Sequence, residues 1–245
     1  MRFVIADVRI DKKCEKGLLE RGFELIKLPS FNLLQEPVSA HPDMLLFIGK
    51  GRVVCHKDYF AACESEMLKI SKLLGAEMIL TDEAIDREYP RDVLFNAAPV
   101  GDMLICRRDA LSKEIAELYG EEKIINVKLY GEEKIINVKQ GYAKCSICVV
   151  GDRAIITSDR SIATKAKEKG IDVLAVSPDG VRLDGYDCGF IGGASGADDK
   201  NVYFCGNIDL HPDGEKIKAF CEKQGKTAVS LSDQPLYDYG TLMII

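Results

Sequence analysis

The chain has 245 residues, of which 47% are hydrophobic and 29% are charged, and its formal net charge is −6 at pH 7. This composition excludes disordered and collagen-like proteins, and a chain of this length buries roughly 70–75% of its unfolded surface. The apolar runs are far shorter than the ~20 residues that span a bilayer, so we expect no membrane partner. Acidic and basic residues are mixed throughout, without the basic stripe that binds phosphates, so we expect no nucleic-acid partner.

The cysteines and histidines give no sign of a metal site in the sequence. The apolar run in residues 1–6 is too short for a secretory signal, so we expect a cytoplasmic protein whose nine cysteines are mostly buried free thiols. Cys145 and Cys148 are predicted to lie on one strand, where side chains at i and i+3 face opposite sides and cannot pair. Because His41, His56 and His211 are far apart in sequence, we expect no metal and no cofactor.

A literal repeat lies in the middle of the chain. The segment LYGEEKIINVK occupies residues 118–128 and recurs unchanged at residues 129–139. Identity this complete indicates a recent tandem duplication in which one copy is superfluous. Each copy is typical of a helix end closed by glycine and followed by a short strand. Since Gly141 and Tyr142 follow the second copy closely, we predict that residues 135–138 form the strand, with the first copy as a loop or extra helix.

A weaker repeat consists of a strand, a glycine-containing hairpin, a second strand, a helix and a third strand. It predicts a single domain, residues 1–245, with four complete units at approximately 41–88, 89–139, 140–184 and 185–234. Their first strands are predicted at residues 41–48, 92–100, 142–150 and 186–191. The glycine-rich residues 192–197 are interpreted as a hairpin loop. A fifth unit combines residues 235–245 with residues 1–40, so the two terminal strands are expected to pair in one sheet.

A ring of five such units resembles the pentein fold, the α/β propeller of guanidine-modifying enzymes that include arginine deiminase and dimethylarginine dimethylaminohydrolase. The resemblance spans essentially the whole chain. Asp92-Val93-Leu94 looks like the Gly-Gly-Asp-Val-Leu segment of those hydrolases, here preceded by Pro90-Arg91, and residues 141–146 look like the strand that carries their catalytic histidine. The resemblance implies an α/β fold, a five-unit ββαβ propeller closed by its N- and C-terminal strands in one unit.

The chain departs from the catalytic pattern of this superfamily. Those enzymes use a cysteine near the C-terminus, a histidine at the start of the third unit and carboxylates that hold the guanidinium. Here no cysteine follows Cys221, and Thr241 and Leu242 stand near the nucleophile position, with Tyr142 near the histidine position. Tyrosine, with a pKa near 10, is a poor base at neutral pH, and threonine needs an activating partner. We therefore assign no catalytic residue and expect the usual reaction to be absent.

Alternation along the predicted first strands assigns polar and aromatic side chains to a central channel. The opposite phase, which includes Ile147 and Val149, is expected to pack under helices. His41 and Asp43 share that helix-facing phase, although a position at the strand end would let them reach the channel mouth. The predicted ligand-binding residues are Asp92, Asn96, Tyr142, Lys144, Tyr186, Asp187, Cys188, Asp238 and Tyr239.

An acidic and aromatic lining of this kind suits a small cationic or amino-acid-like ligand. Three functions remain open: a non-catalytic binder of such a ligand, a divergent guanidino- or amidino-group hydrolase that uses Cys188, and a protein-interaction scaffold. Asp187 and Lys144 are expected near Cys188, and they would shift the pKa of its thiol in opposite directions. We favour the non-catalytic binder.

Overall fold

A computed structural model describes residues 2–120 and 134–245 as an α/β fold. Its strands are β1 (Arg2–Asp7), β2 (Phe23–Leu28), β3 (Leu46–Gly49), β4 (Arg52–His56), β5 (Glu77–Thr81), β6 (Ala98–Val100), β7 (Met103–Cys106), β8 (Ile135–Asn137), β9 (Ile147–Gly151), β10 (Ala154–Thr157), β11 (Asp172–Ala175), β12 (Val181–Arg182), β13 (Ser195–Ala197), β14 (Asn201–Phe204), β15 (Thr227–Ser230), β16 (Leu236–Tyr237) and β17 (Met243–Ile244). Its helices are α1 (Lys12–Leu19), α2 (Pro42–Leu45), α3 (Lys57–Ala62), α4 (Glu64–Leu74), α5 (Lys113–Tyr119), α6 (Ala143–Ser146), α7 (Arg160–Glu168) and α8 (Gly214–Lys223).

Five three-stranded sheets within the described ranges share one plan. Their strand orders are β3-β4-β5, β6-β7-β8, β9-β10-β11, β13-β14-β15 and β17-β1-β2. In each sheet the outer strand named first is antiparallel to the central strand, and the third strand is parallel to it. A parallel pair needs a crossover connection, and each of these connections contains at least one helix. The predicted order of strand, hairpin, strand, helix and strand is therefore confirmed.

The first and last strands of the chain lie in the same sheet. Val4 pairs with Ile244 and Ile5 pairs with Met243 in an antiparallel ladder. Phe3 and Ile245 also exchange two backbone hydrogen bonds, each 2.9 Å long. The predicted pairing of the terminal strands is confirmed.

The strand of the second unit comes from the second copy of the duplicated segment. β8 lies in that copy and pairs in parallel with β7, with Ile136 opposite Ile105. The position predicted for this strand is therefore confirmed. The expectation that the first copy forms a loop or an extra helix falls largely on residues 121–128, which lie outside the described residues.

The predicted first strands of two units begin too early. Residues 42–45 and 143–146 form the helical turns α2 and α6, and β3 and β9 begin only after them. Pro42 occupies the first turn of α2, where its missing N–H is not needed. In α6, the side-chain oxygen of Asn96 accepts hydrogen bonds from the backbone N–H groups of Lys144 (2.7 Å) and Cys145 (3.3 Å). These donors of a first helical turn have no partner within the helix, so Asn96 caps it from another unit.

In the fourth unit, the predicted strand at residues 186–191 is wrong, and so is the hairpin loop predicted at residues 192–197. The strand of this unit is β13, which lies inside the glycine-rich segment. A Cβ atom on Gly192 would lie 2.4 Å from the carbonyl oxygen of Ile147, and one on Gly196 would lie 2.2 Å from that of Leu242. Glycine is needed at these two positions because neighbouring backbones approach closely, and not because the segment forms a turn. In the second unit, only Ala98–Val100 of the predicted residues 92–100 is a strand.

Apolar clusters fill the space between the sheets and the helices. Ile147 packs with Ile162 and Ala166 of α7, as expected for the helix-facing phase. Burying such aliphatic side chains contributes about 1.5–3 kcal/mol each. Across residues 2–120 and 134–245, we find no helix with the length and apolar character needed to cross a bilayer. The cytoplasmic location stays a prediction.

Candidate functional site

Four segments that precede the first strands of their sheets bring polar side chains together. Asp43 lies on α2, Asn96 lies just before β6, Cys145 lies on α6 and Thr241 lies just before β17. All four side chains are at least 97% buried, with exposed fractions of 1%, 1%, 2% and 3% respectively. We call these four residues the polar cluster. Because buried polar groups are costly without partners, the hydrogen bonds within the cluster determine its structure.

The Asp43 carboxylate accepts hydrogen bonds from two side chains. The Thr241 hydroxyl donates to Oδ2 at 2.7 Å, and the Cys145 thiol lies 3.2 Å from each carboxylate oxygen. Burial raises the pKa of Asp43, and the hydrogen bond from Thr241 opposes the shift. Burial also raises the pKa of Cys145 well above its ordinary value, and the neighbouring Asp43 adds to the rise. Cys145 is therefore a neutral thiol that donates a hydrogen bond to Asp43.

Within the polar cluster, the Asn96 side chain bonds the backbones of both α2 and α6. Its Nδ2 donates to the carbonyl oxygen of Asp43 at 3.2 Å and to the Cys145 sulfur at 3.1 Å. Its oxygen caps α6. A single amide thus fixes the orientation of Cys145 relative to Asp43, since it bonds both the thiol and the backbone that carries it.

His41 lies between two buried carboxyl groups. Its Nε2 is 3.9 Å from Asp7 Oδ2, and its Nδ1 is 3.8 Å from Asp238 Oδ1, distances too long for hydrogen bonds. Burial lowers the pKa of His41 to about 3, with a smaller contribution from Arg9, so the imidazole is neutral. Nδ1 has no hydrogen-bond partner among the described residues. Asp7 is itself paired with Arg9, whose guanidinium approaches it to 2.6 Å.

Asp238 is held by backbone donors. The N–H groups of Phe190 and Gly240 each donate to its carboxyl at 2.9 Å. Burial and the nearby Asp43 raise its pKa to about 7. Gly240, at φ +71°, is required here because a Cβ atom would lie 2.1 Å from that of His41.

Thr241 has an unusual backbone conformation, with φ at +72°. A β-branched residue in the left-handed region is strained by an estimated ~1–3 kcal/mol and is held there by its surroundings. Such strain is frequent where a side chain must point to a site. Here it accompanies the hydrogen bond from Thr241 to Asp43.

A cavity of about 570 Å³ adjoins the polar cluster. Asp43, Lys144 and Thr241 contribute to its lining. The first strands of the five sheets contribute Ile48, Pro99, Val149, Ala197 and Ile244. Val149 also packs against the cluster of Ile147, Ile162 and Ala166, as predicted for the helix-facing phase.

Lys144 is the unpaired cation of the cavity wall. Burial lowers the pKa of its ammonium group, and Asp43 opposes that shift. Within residues 2–120 and 134–245, its side chain forms no hydrogen bond and no ion pair. An ammonium group in this position favours a ligand that brings a negative charge.

The structure brings three of the nine predicted ligand-binding residues to this region. Asn96 belongs to the polar cluster, Lys144 lines the cavity, and Asp238 is beside His41.

Asp92 and Tyr142 form a second pair, in which the Tyr142 hydroxyl donates to Asp92, and Tyr142 also interacts electrostatically with Cys145 of the polar cluster. The Tyr142 ring stacks between those of Tyr89 and Phe190. Tyr186 is 42% exposed, and its contact with this pair is electrostatic.

The other predicted residues lie away from the polar cluster. Asp187 is exposed, and Tyr239 is packed in an apolar cluster with Cys14 and Leu18. Cys188 is half-buried, and both burial and Asp187 raise the pKa of its thiol. The groups that shift the Cys188 pKa within the described ranges are all acidic, and Lys144 is not one of them, so the expected lowering of the pKa by Lys144 is not found.

The expectation of no metal rested on the spacing of the histidines in sequence. In the structure, His41, Asp43 and Cys145 each place one potential ligand atom within 4.8 Å of the others. Residues distant in sequence thus form a group with the ligand types of zinc.

Comparison with known proteins identifies the family. A family model described as a family of unknown function, DUF6873, matches residues 5–243. The chain belongs to the DUF6873 family. No curated protein matches this chain.

Solved structures similar to this DUF6873 protein show its fold. SxtG, an amidinotransferase of the saxitoxin biosynthetic pathway from Microseira wollei, has a TM-score of 0.54 at 10% identity, over 94% of this chain and 88% of the other. A dimethylarginine dimethylaminohydrolase adduct has a TM-score of 0.51 at 9% identity, over 94% and 92%. The same kind of hydrolase from Pseudomonas aeruginosa, in complex with citrulline, has a TM-score of 0.50 at 9% identity, over 94% and 91%. The fold is that of the pentein superfamily, as the resemblance implied.

Sequence reasoning missed the central roles of Asp43 and Cys145 in this DUF6873 protein. One local signal was available: His41-Pro42 favours a helical turn, which would have turned Asp43 out of strand alternation. No comparable signal precedes Cys145, because the residue that caps α6 is Asn96, 48 positions away from Lys144.

Proposed function

We propose that this DUF6873 protein binds a small cationic or amino-acid-like ligand in the 570 Å³ cavity. The observation that carries the proposal is that Asp43, Lys144 and Thr241 line one cavity together with apolar side chains such as Phe95 and Leu242. Small-molecule sites typically combine apolar walls with a few placed polar groups, and volumes of about 300–1,000 Å³ are usual.

The two charges suit a ligand with two charges of its own. Asp43 would hold a guanidinium or ammonium group, with the Thr241 hydroxyl beside it. Lys144 would hold a carboxylate, since its ammonium forms no ion pair among the described residues. Removing these charges from water is costly, so a ligand of complementary charge is favoured over an empty site.

We infer further that the five sheets form a closed five-unit propeller around this cavity. The shared strand order, the pairing of β1 with β17, and the five first strands along the cavity support this arrangement. We propose unit boundaries near residues 41, 89, 140, 185 and 235 for this ring. In such a ring, ligand contacts come from segments that are distant in sequence, as they do in the polar cluster.

A second candidate function is a divergent guanidino- or amidino-group hydrolase. The observation that favours it is the proximity of Cys145 and His41 to Asp43. Cys145 would then be the nucleophile, in place of Cys188, and Asp43 would accept its proton. The raised pKa of Cys145 works against this candidate, because burial keeps the thiol neutral.

The test is calorimetric titration of the purified protein with arginine and with agmatine, while citrulline-type products are assayed. Asp43→Asn should weaken both ligands by about 10–100-fold, because a charge-assisted hydrogen bond contributes about 1.5–3 kcal/mol. Lys144→Met should weaken arginine but not agmatine, which has no carboxylate. Lys167→Met, which changes an exposed lysine of α7, is the matched control and should leave both unchanged.

Each outcome decides between the candidates. Binding without turnover supports the binder. Turnover that is lost in Cys145→Ser and kept in Cys188→Ser establishes the hydrolase. Absence of both binding and turnover with these guanidino ligands and with free amino acids contradicts the proposal and favours a protein-interaction scaffold.

A further inference from the structure

Three buried side chains of different chemistry converge on one point. His41, Asp43 and Cys145 each offer one ligand atom, all within 4.8 Å of one another. Their exposed fractions are 1%, 1% and 2%. Imidazole nitrogen, carboxylate oxygen and thiolate sulfur are the three kinds of ligand that proteins use for zinc.

An independent observation on His41 also favours a cation at this position. Nδ1 of this buried imidazole has no hydrogen-bond partner among the described residues, and the nearest carboxylate oxygen, on Asp238, is 3.8 Å away. Buried ring nitrogens normally have a partner. In the tautomer of neutral imidazole that carries its proton on Nε2, Nδ1 has a lone pair that a metal ion can satisfy and a carboxylate cannot.

The charges in this region also favour a cation. Asp7 is neutralised by Arg9, whereas Asp43 interacts with the Lys144 ammonium, and Asp238 forms no ion pair with a lysine or arginine among the described residues. When the Cys145 thiol loses its proton, a divalent ion balances the charges of Cys145 and Asp43. The Asn96 Nδ2, 3.1 Å from the sulfur, is placed to hydrogen-bond a metal-bound thiolate.

We propose that His41, Asp43 and Cys145 bind one divalent, thiophilic ion, with zinc the best match to this set of ligands. Three protein ligands leave one coordination position open, the arrangement that zinc has where it also meets a small molecule. Binding breaks the S–H bond of Cys145, forms a metal–sulfur bond and releases one proton to the buffer.

This inference uses one residue of the proposed function, because Asp43 serves both. The ion and the cationic group of an organic ligand should therefore compete. Lys144 offers no ligand to the ion, so Lys144→Met should keep metal binding, and it should strengthen it because a positive charge beside Asp43 is removed. If the protein binds the metal ion but not arginine, only the proposed function fails. If it binds arginine but not the metal ion, only the metal site fails.

The experiment is titration of the chelator-treated full chain with Co²⁺, followed by the charge-transfer absorption of the Co²⁺–thiolate bond. We expect one equivalent of Co²⁺ to produce this band and Zn²⁺ to abolish it. Cys145→Ser should remove the band, and His41→Gln should weaken binding at least 10-fold. Cys148→Ser, a buried cysteine three positions away that lies outside the group, is the matched control and should keep the band.

Two results would overturn the proposal: no band in the unsubstituted protein, or a band of equal size in Cys145→Ser. If Cys145→Ser fails to fold, as judged by circular dichroism, His41→Gln and thermal stabilisation by Zn²⁺ decide the question. A bound ion raises the melting temperature of the unsubstituted protein. An equal rise in His41→Gln contradicts the assigned ligands.

Discussion

The Thr241 hydroxyl donates a 2.7 Å hydrogen bond to Asp43 across 198 positions of sequence. It joins the segment before β17 to the helical turn α2, and therefore the last sheet to the first unit. Thr241 stands near the position where the superfamily resemblance places a cysteine nucleophile. A hydroxyl with this acceptor stabilises a buried carboxylate, whereas a thiolate there would repel it.

Thr241→Val should destabilise the protein by about 1–3 kcal/mol, because it keeps the β-branch and removes the donor to buried Asp43. Thr241→Ser keeps the hydroxyl and should cost much less. Urea unfolding of both variants measures the difference in free energy. Equal losses in the two variants would show that the hydrogen bond contributes little.

Asp92 and Tyr142 should be energetically coupled. Asp92 Oδ1 has no partner among the described residues, and Tyr142 is the side chain that donates to Oδ2. Tyr142→Phe alone should lower the free energy of unfolding by about 1–3 kcal/mol. In an Asp92→Asn background the loss should be smaller by at least about 0.5 kcal/mol. A double-mutant cycle in urea gives the coupling energy. Strict additivity would mean that the pair does not stabilise the fold.

His211 should make the protein less stable in mild acid. Burial lowers its pKa, and its Nδ1 accepts a 3.0 Å hydrogen bond from the Asp213 N–H. A lowered folded pKa means that the unfolded state binds the proton better. The stabilisation that neutral, buried His211 contributes is thus complete above about pH 6.5 and is lost as the pH falls through the pKa of His211 in the folded protein.

His211→Asn retains an acceptor for the Asp213 N–H but does not titrate. The free energy of unfolding should decrease less between about pH 7 and about pH 5 in this variant than in the unsubstituted protein. His41 is present in both proteins, so its effect cancels in the comparison. A steeper loss in His211→Asn would contradict the assignment.

Deleting residues 118–128 should preserve the fold. The junction then reads as Glu117 followed by the identical Leu-Tyr-Gly of the second copy, and β8 keeps its place beside β7. Thermal melting and circular dichroism should be nearly unchanged. Ile136→Asp, which buries a charge in β8, is the comparison variant and should lose several kcal/mol. A deletion as harmful as Ile136→Asp would show that both copies are structural.

Deleting residues 237–245 should unfold the protein. The deletion removes β17 from the edge of β1, together with buried Leu242 and the Asp238 and Thr241 side chains. Lost burial alone costs about 1.5–3 kcal/mol for each large aliphatic side chain, a large fraction of the usual total stability. A cooperative melting transition at the original temperature in the truncated chain would contradict the importance of this pairing.

The topology could be predicted from the sequence because it depends on local signals. Glycine hairpins and the spacing of apolar runs are sufficient to place strands such as β4 and β10. The conformation of the segments that precede the first strands could not be predicted from such local signals. α6 depends on Asn96, and β13 depends on contacts of Gly192 and Gly196 with other backbones, which are tertiary interactions without a local pattern.

The same limitation applies to the site. Asn96, Lys144 and Asp238 were predicted because they are polar residues in the repeat. Cys145 was assigned to a strand, and alternation then predicted the wrong surroundings for its thiol. A four-residue helical turn directs its side chains differently from a strand. An error of only a few residues in a strand boundary is therefore enough to predict the wrong positions for the side chains of the site.

The hydrogen bonds between Phe3 and Ile245 place the two ends of the chain side by side. A short peptide could therefore link them without distorting β1 or β17. New ends could then be opened at an exposed hairpin, such as Asp152–Arg153 between β9 and β10. Such a circular permutant would retain every sheet, although its fourth unit would be synthesised before its first, because the pairing of β1 with β17 does not depend on where the covalent chain is cut.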